Sequence, residues 1–331
     1  MNEHTVNQQH NDTVAPSRRQ YLKRALGYLG NVLVILSVGF LVQRIVQNIH
    51  QLPAVSVTRW WGAAATATVI VTGLFAFLAA AWWCILRAGE FPVSVRESYI
   101  IMGKSQIGKY LPGNVFQYVR RVTEGFSYGI SPEAGVVSLG IETALIAATA
   151  TAIAAAGLAL HLISPPAFLL DILAQGPLVS VILVIIFLIS AAFIAFSPGI
   201  RRWLIERRRY LRPGYAGTAV LFYLLFFLGF GLTISWLSGR AGSVHATVRW
   251  YQFASGFALS WLLGFVVPGA PGGVGIREAV FVGLFGPQLG DGFAAALALL
   301  LRIITTLGDL LTFGLASWIG SGTLRNAERS P

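Results

Sequence analysis

Long apolar segments separated by short polar ones dominate the chain. A helix needs about 20 apolar residues to cross a hydrocarbon layer about 30 Å thick. Seven stretches are of roughly that length, and they run over residues 28–49, 60–86, 134–161, 177–196, 217–237, 251–267 and 293–319. The pattern predicts an all-α, polytopic helical membrane protein with seven or eight membrane segments. Paired tryptophans begin and end the second stretch, at 60–61 and 82–83, and predict contact with both membrane interfaces.

Two Pro-Gly breaks interrupt this pattern. The stretch 268–278 reads Pro-Gly-Ala-Pro-Gly-Gly-Val-Gly-Ile-Arg-Glu, and residues 108–114 read Gly-Lys-Tyr-Leu-Pro-Gly-Asn. Proline and glycine do not sustain a straight helix. At membrane depth, non-helical backbone is tolerated only where protein buries it or water lines it. The break at 268–278 therefore indicates a transporter-like broken helix, with a polar surface loop as the alternative. The break at 108–114 indicates a re-entrant or interfacial segment, or equally an amphipathic cytoplasmic helix over 94–107 that ends in a turn.

Composition narrows the class of protein. Only 11% of the 331 residues are charged, against about 25% in soluble proteins. The net charge of +11 comes largely from basic loops, with four Lys/Arg in residues 1–27 and six each in 87–133 and 198–216. These loops alternate with poorer ones, which predicts a cytoplasmic N-terminus in the cytoplasmic membrane. The single cysteine excludes an internal disulfide, and five scattered histidines show no ligand spacing. We expect no metal and no cofactor.

Charged residues within the apolar stretches are the candidate functional residues. Glu142 lies in the third stretch, and Arg302 and Asp309 lie seven residues apart in the last, on one helical face. Such charges are expensive in a bilayer unless they are paired or line a watery cavity. We expect Arg277, Glu278, Glu142 and Arg302 to converge in one cavity, with helix-packing contacts as the alternative.

A weak repeat accompanies the two breaks. Pro112-Gly113 and Pro268-Gly269 lie 156 residues apart, and basic residues follow each break. An in-span charge comes 30 residues after the first proline and 34 after the second, at Glu142 and Arg302. Such signals are typical of a substrate site between two halves of a transporter.

Several of these motifs resemble the lysylphosphatidylglycerol synthase transmembrane region, or flippase-like, family over roughly residues 25–320. They are Gly108 to Gly113, Arg120, Ser131, Glu142, the Pro-Gly-Gly-x-Gly-x-Arg-Glu segment that begins at Pro271, and Arg302. The chain departs from the family at Phe116-Gln117 and at Thr143, and both changes remove a charge. It also contains no soluble stretch long enough for a lysyl-transfer domain, so we do not expect it to synthesise lysyl-lipid.

The resemblance and the residues together give the functional expectation. We expect one integral membrane domain over 25–322, a disordered cytoplasmic tail over 1–24 and a short tail over 323–331. We expect a non-enzymatic lipid transporter or flippase for an anionic or phosphate-bearing lipid. The expected headgroup-binding residues are Lys109, Pro112, Gly113, Arg120, Glu142, Gly272, Gly273, Gly275, Arg277, Glu278, Arg302 and Asp309.

Two alternatives remain. One is an accessory membrane subunit for a lipid-modifying enzyme or a glycosyltransferase. The other is an intramembrane transferase, which the lack of an Asp-x-Asp motif disfavours. Membrane lipids are the expected partners and nucleic acid is not. No Gly-x4-Gly-Lys-Ser/Thr motif occurs, so ATP hydrolysis by this chain is not expected.

Overall fold

The computed structural model describes residues 57–110, 116–166, 212–240, 248–266 and 271–327. These residues form eight α-helices and two 3₁₀ segments, Gln106–Tyr110 and Pro271–Gly273, which confirms the all-α prediction. The helices are α1 Val57–Ala88, α2 Val95–Ser105, α3 Phe116–Phe126, α4 Pro132–Ala159, α5 Pro213–Arg240, α6 Trp250–Val266, α7 Ile276–Leu289 and α8 Asp291–Ala327.

Four of these helices are long and apolar enough to cross a membrane, namely Trp61–Ala88, Pro132–Ala159, Pro213–Arg240 and Asp291–Ser321. The predicted stretch 251–267 forms α6, which has 17 residues. The predicted spans 28–49 and 177–196 lie outside the described residues. The last helix extends to Ala327, so it includes the first residues of the predicted C-terminal tail. A polytopic helical membrane protein is the class that this architecture defines.

Local sequence signals set several helix ends. Ser94 caps α2, because its hydroxyl accepts the backbone N–H of Glu97 while the Glu97 carboxylate accepts the N–H of Ser94. The Ser131 hydroxyl caps α4 by accepting the backbone N–H of Ala134, and Pro132 occupies the first helical position. Gly290, at φ 84°, allows the sharp turn between α7 and α8.

Phenylalanines and small residues form the helix packing around α5. Phe230 stacks on Phe257 of α6 with ring centroids 4.2 Å apart. A Cβ built on Gly231 would lie 2.5 Å from the Cβ of Ala254, so the α5 and α6 backbones approach closely. Small residues at such crossings are a common means of packing membrane helices.

The long helix α8 has two different faces. Its exposed side carries large apolar residues, which are Ile303, Leu307, Leu310, Leu311, Leu315 and Trp318. Its opposite side turns Arg302, Thr305 and Asp309 toward a central cavity. A helix that is apolar outside and polar inside suits a lipid-exposed wall around a water-accessible space.

The tryptophan prediction for the end of α1 was wrong for Trp82. Trp82 is buried, and its indole N–H donates to the Ser138 hydroxyl at 3.1 Å. Trp83 donates to the carbonyl of Val93 at 2.9 Å. Both indoles therefore find their hydrogen-bond acceptors inside the protein, because the chain after α1 folds back over them.

The two Pro-Gly positions themselves lie outside the described residues, and described helices or 3₁₀ segments lie on both sides of each. Each break is followed by a short helix and then by a long one: α3 and α4 after the first, α7 and α8 after the second. The two 3₁₀ segments contact each other. Helix α2 is not a free surface helix, because Ile100, Ile101 and Met102 are buried and Gly103 lies against α8. The two breaks therefore meet inside the bundle.

Candidate functional site

A central cavity of about 200 Å³ lies where the two breaks meet. All eight helices contribute to its lining. Among the described residues, seven charged ones line it, and they are Lys109, Arg121, Glu142, Arg277, Glu278, Arg302 and Asp309. Four are basic and three are acidic, which leaves a formal excess of one positive charge. This excess favours an anionic ligand.

The glycine-rich break builds the surroundings of Arg277. Gly272, Gly273 and Gly275 all have positive φ, at 60°, 71° and 87°, which side-chain-bearing residues rarely adopt. A Cβ built on Gly273 would lie 2.6 Å from Nε of Arg277, and one built on Gly264 would meet its Cγ. The side chain of Arg277 therefore passes through a slot between two glycines.

Arg277 ends against an aromatic wall rather than on a carboxylate. Its guanidinium lies 5.7 Å from the centre of the Trp261 ring, which in turn stacks on Phe265. Its buried Nε has no hydrogen-bond acceptor among the described residues. A buried donor without an acceptor is costly, so an anion or a water molecule that reached this nitrogen through a shift of the slot would stabilise it.

Glu278 and Arg302 fix the start of α7. The Glu278 Oε2 accepts the backbone N–H of Gly275 at 2.5 Å, and its Oε1 lies 3.8 Å from a guanidinium nitrogen of Arg302. Arg302 also donates to the carbonyl of Gly272 at 3.3 Å. The amide of Gly275 is thus already occupied by Glu278, while the glycine loop offers a carbonyl to Arg302.

Asp309 joins the first break to α8. One of its oxygens, Oδ2, lies 2.5 Å from Nζ of Lys109 and accepts the hydroxyl of Tyr110 at 2.5 Å. Lys109 and Tyr110 end the 3₁₀ segment Gln106–Tyr110, so this contact holds the tip of the segment against α8.

Arg121 and Glu142 form a second buried ion pair, between α3 and α4. Their side chains meet at 2.5 Å, with exposed fractions of 7% and 11%. Nε of Arg121 also donates to the Ser105 hydroxyl at 3.3 Å, and its guanidinium lies 5.3 Å from the Trp82 ring centre.

All of the predicted site residues except Arg120 fall into three groups. Lys109, Glu142, Gly272, Arg277, Glu278, Arg302 and Asp309 line the cavity. Gly273 and Gly275 support it from the break, through the Arg277 slot and the bond to Glu278. Pro112 and Gly113 lie outside the described residues.

Arg120 is not brought to the cavity. It is exposed, and its guanidinium lies 5.7 Å from the ring centre of Phe313. Its neighbour Arg121 is the cavity residue, since the inner face of α3 carries Gln117, Tyr118 and Arg121 at helical spacing.

Sequence reasoning missed Arg121 and the aromatic wall. The exposed face of α3 carries Phe116, Val119 and Phe126, so the apolar side of this helix points outward. If the polar face of α3 had been assigned to the protein interior, Arg121 would have been predicted as a cavity residue. The aromatic wall, formed by Phe226, Phe230, Phe257, Trp261 and Phe265, gave no distinct signal because phenylalanine is common in every span.

Comparison with known families identifies the chain. A multi-pass helical membrane protein with a charged internal cavity is the class that the geometry defines. The model of the lysylphosphatidylglycerol synthase TM region matches residues 26–312, so the chain belongs to that family, and the resemblance seen in the sequence is confirmed. Neither the search of curated proteins nor that of solved structures gave a match.

Proposed function

We propose that the protein moves a phosphate-bearing lipid across the cytoplasmic membrane and does not itself catalyse a chemical step. The observation that carries the proposal is the cavity at the two breaks, with its excess positive charge and the unpartnered Nε of Arg277. A guanidinium suits a phosphate because its donors form a planar fork.

The surroundings of the cavity support a lipid rather than a soluble anion. The outer faces of α3 and α8 carry exposed phenylalanine, leucine and tryptophan side chains. A polar interior beside an apolar exterior lets a headgroup enter the cavity while its acyl chains stay among lipids. The orientation that we propose, with a cytoplasmic N-terminus, rests on the distribution of basic loops.

Lipid translocation in liposomes that contain the purified chain tests this function. Labelled anionic, zwitterionic and aminoacylated lipids are compared, with and without a proton gradient. Arg277→Gln should lose translocation, whereas Arg120→Gln, at an exposed arginine outside the cavity, should retain it. Equal rates for native protein, both variants and empty liposomes would refute the proposal.

An accessory subunit for a lipid-modifying or glycosyltransferase enzyme is the second candidate. The six arginines between residues 201 and 212 favour it, because such a run suits a partner or an anionic lipid surface. Under this alternative, Arg277→Gln leaves lipid distribution unchanged, whereas neutralising the loop arginines reduces recovery of the partner enzyme with the chain.

A further inference from the structure

Among the described acidic residues of the cavity, Asp309 has a buried carboxylate oxygen without a hydrogen-bond partner. It is 1% exposed, yet Oδ1 has no hydrogen-bond partner among the described residues. Both of its donors, Lys109 and Tyr110, meet the other oxygen. A buried carboxylate with one oxygen unused loses hydrogen bonds that water would have supplied.

The other two ion pairs of the cavity are arranged differently. Arg121 and Glu142 belong to consecutive helices, α3 and α4, and Glu278 and Arg302 belong to consecutive helices, α7 and α8. Each pair therefore lies within one unit, where a unit is a break together with the two helices that follow it. Lys109 and Asp309 come from different units, and their pair connects the two across the cavity.

We propose that Asp309 competes with the lipid phosphate for Lys109, and that it holds the ammonium group that the phosphate takes when lipid binds. The inference rests on the proposed function, because it names the second phosphate-binding cation of the same site. Phosphate oxygens accept the same ammonium donors as a carboxylate does.

Exchange of partners removes the charge partner of the buried Asp309, and the contacts of the phosphate must offset that cost. Lys109 exchanges one anionic partner for another, so its charge stays matched. Asp309 keeps its hydrogen bond from Tyr110 after Lys109 leaves it. A phosphodiester with one negative charge also neutralises the excess positive charge of the cavity residues. Re-formation of the Lys109–Asp309 pair favours release of the phosphate.

If Asp309 competes with the phosphate, removing its charge should tighten binding of the probe. If Asp309 only supports the structure, removing its charge should weaken binding. Asp309→Asn frees Lys109, so the detergent-solubilised chain should bind dihexanoyl phosphatidylglycerol about tenfold more tightly, or about 1.4 kcal/mol. Lys109→Met in the Asp309→Asn background should abolish this gain. A folded Asp309→Asn variant that binds the probe as the native chain does, or more weakly, overturns the proposal.

Matched controls test whether the gain in affinity depends on Asp309 and on the phosphate of the probe. Lys104 and Glu124 form a similar lysine–carboxylate pair outside the cavity lining, so Glu124→Gln should leave binding unchanged. Inorganic phosphate tests whether the anion alone suffices, and a tenfold gain for it as well supports recognition of the phosphate itself. An equal gain for dihexanoylglycerol, which lacks phosphate, overturns the proposal.

A measurement on the native chain covers the case in which Asp309→Asn does not fold. Addition of dihexanoyl phosphatidylglycerol should shift a carboxylate stretching band in the infrared difference spectrum, because Asp309 loses Lys109. No carboxylate change at saturating probe overturns the inference.

If Asp309→Asn binds more tightly but no lipid is translocated, the transport function fails while the competition stands. If lipid is translocated but Asp309→Asn shows no gain in binding, the competition fails while the transport function stands.

Discussion

Arg121 bonds to Glu142 inside the protein, whereas Arg120, one residue earlier on α3, lies on the outer surface. The two arginines therefore experience opposite environments, although they are adjacent and chemically identical. Glu142 depends on Arg121, since it is buried and no other basic side chain of the described residues pairs with it.

Substitution of these two arginines should have very different effects on stability. Arg121→Gln leaves Glu142 buried without its charge partner, which costs about 3–5 kcal/mol of unfolding free energy. Arg120→Gln should change it by no more than about 0.5 kcal/mol, as for most surface substitutions. Denaturant unfolding of both variants in the same detergent measures the difference. Equal stabilities would mean that the Arg121–Glu142 pair does not form.

Replacing both members of the Arg121–Glu142 pair tests whether the unpaired charge causes the loss of stability. The Arg121→Met/Glu142→Leu double variant removes both charges, so it should be more stable than Arg121→Gln alone. Transport should still fall in the double variant, because both residues line the cavity. A double variant as unstable as the single one would show that packing, rather than the unpaired charge, sets the cost.

The Gly273 position should tolerate no side chain. Gly273→Ala places a Cβ 2.6 Å from Nε of Arg277 and 2.8 Å from the carbonyl oxygen of Gly264, at a φ of 71°. We expect a loss of about 1–3 kcal/mol from backbone strain and displacement of Arg277, with translocation lost. Gly140→Ala on α4 is the control, since nothing lies within 4 Å of its Cβ position. Native-like transport by Gly273→Ala would contradict the slot around Arg277.

The sequence predicted the helical class and both breaks because span length and Pro-Gly chemistry act locally. It also predicted that Glu142, Arg277, Glu278, Arg302 and Asp309 would need a partner or a cavity, because a lone charge within an apolar stretch is costly. All five line the cavity. It did not predict which charges pair. Those partners come from helices far apart in the chain, as Lys109 and Asp309 do, and helical spacing carries no information about such contacts.

The packing of α2 against α8 should not tolerate one added methyl group. A Cβ built on Gly103 would lie 2.5 Å from the Cβ of Ala316 and 3.0 Å from the carbonyl oxygen of Thr312. Gly103→Ala should therefore push the helices apart and destabilise the protein by about 1–3 kcal/mol, as overpacking usually does. Gly314→Ala on α8 should be close to neutral, because its Cβ would meet nothing within 4 Å. Thermal unfolding of the two variants in one detergent compares them, and equal melting temperatures would contradict the close contact.

Glu278 has two roles that two substitutions can separate. Its Oε2 accepts the N–H of Gly275, and its negative charge faces Arg302. Glu278→Gln keeps an acceptor for Gly275 but removes the charge, so the formal excess of the cavity rises by one. We therefore expect tighter binding of dihexanoyl phosphatidylglycerol, slower translocation because release is hindered, and only a small change in stability.

Glu278→Ala removes the acceptor as well, and loss of such a helix-start contact should cost about 0.5–2 kcal/mol more of unfolding free energy. Binding titrations and unfolding curves on both variants provide the two readouts. If Glu278→Gln weakens binding without unfolding, the carboxylate contacts the ligand itself rather than balancing the charge of Arg302.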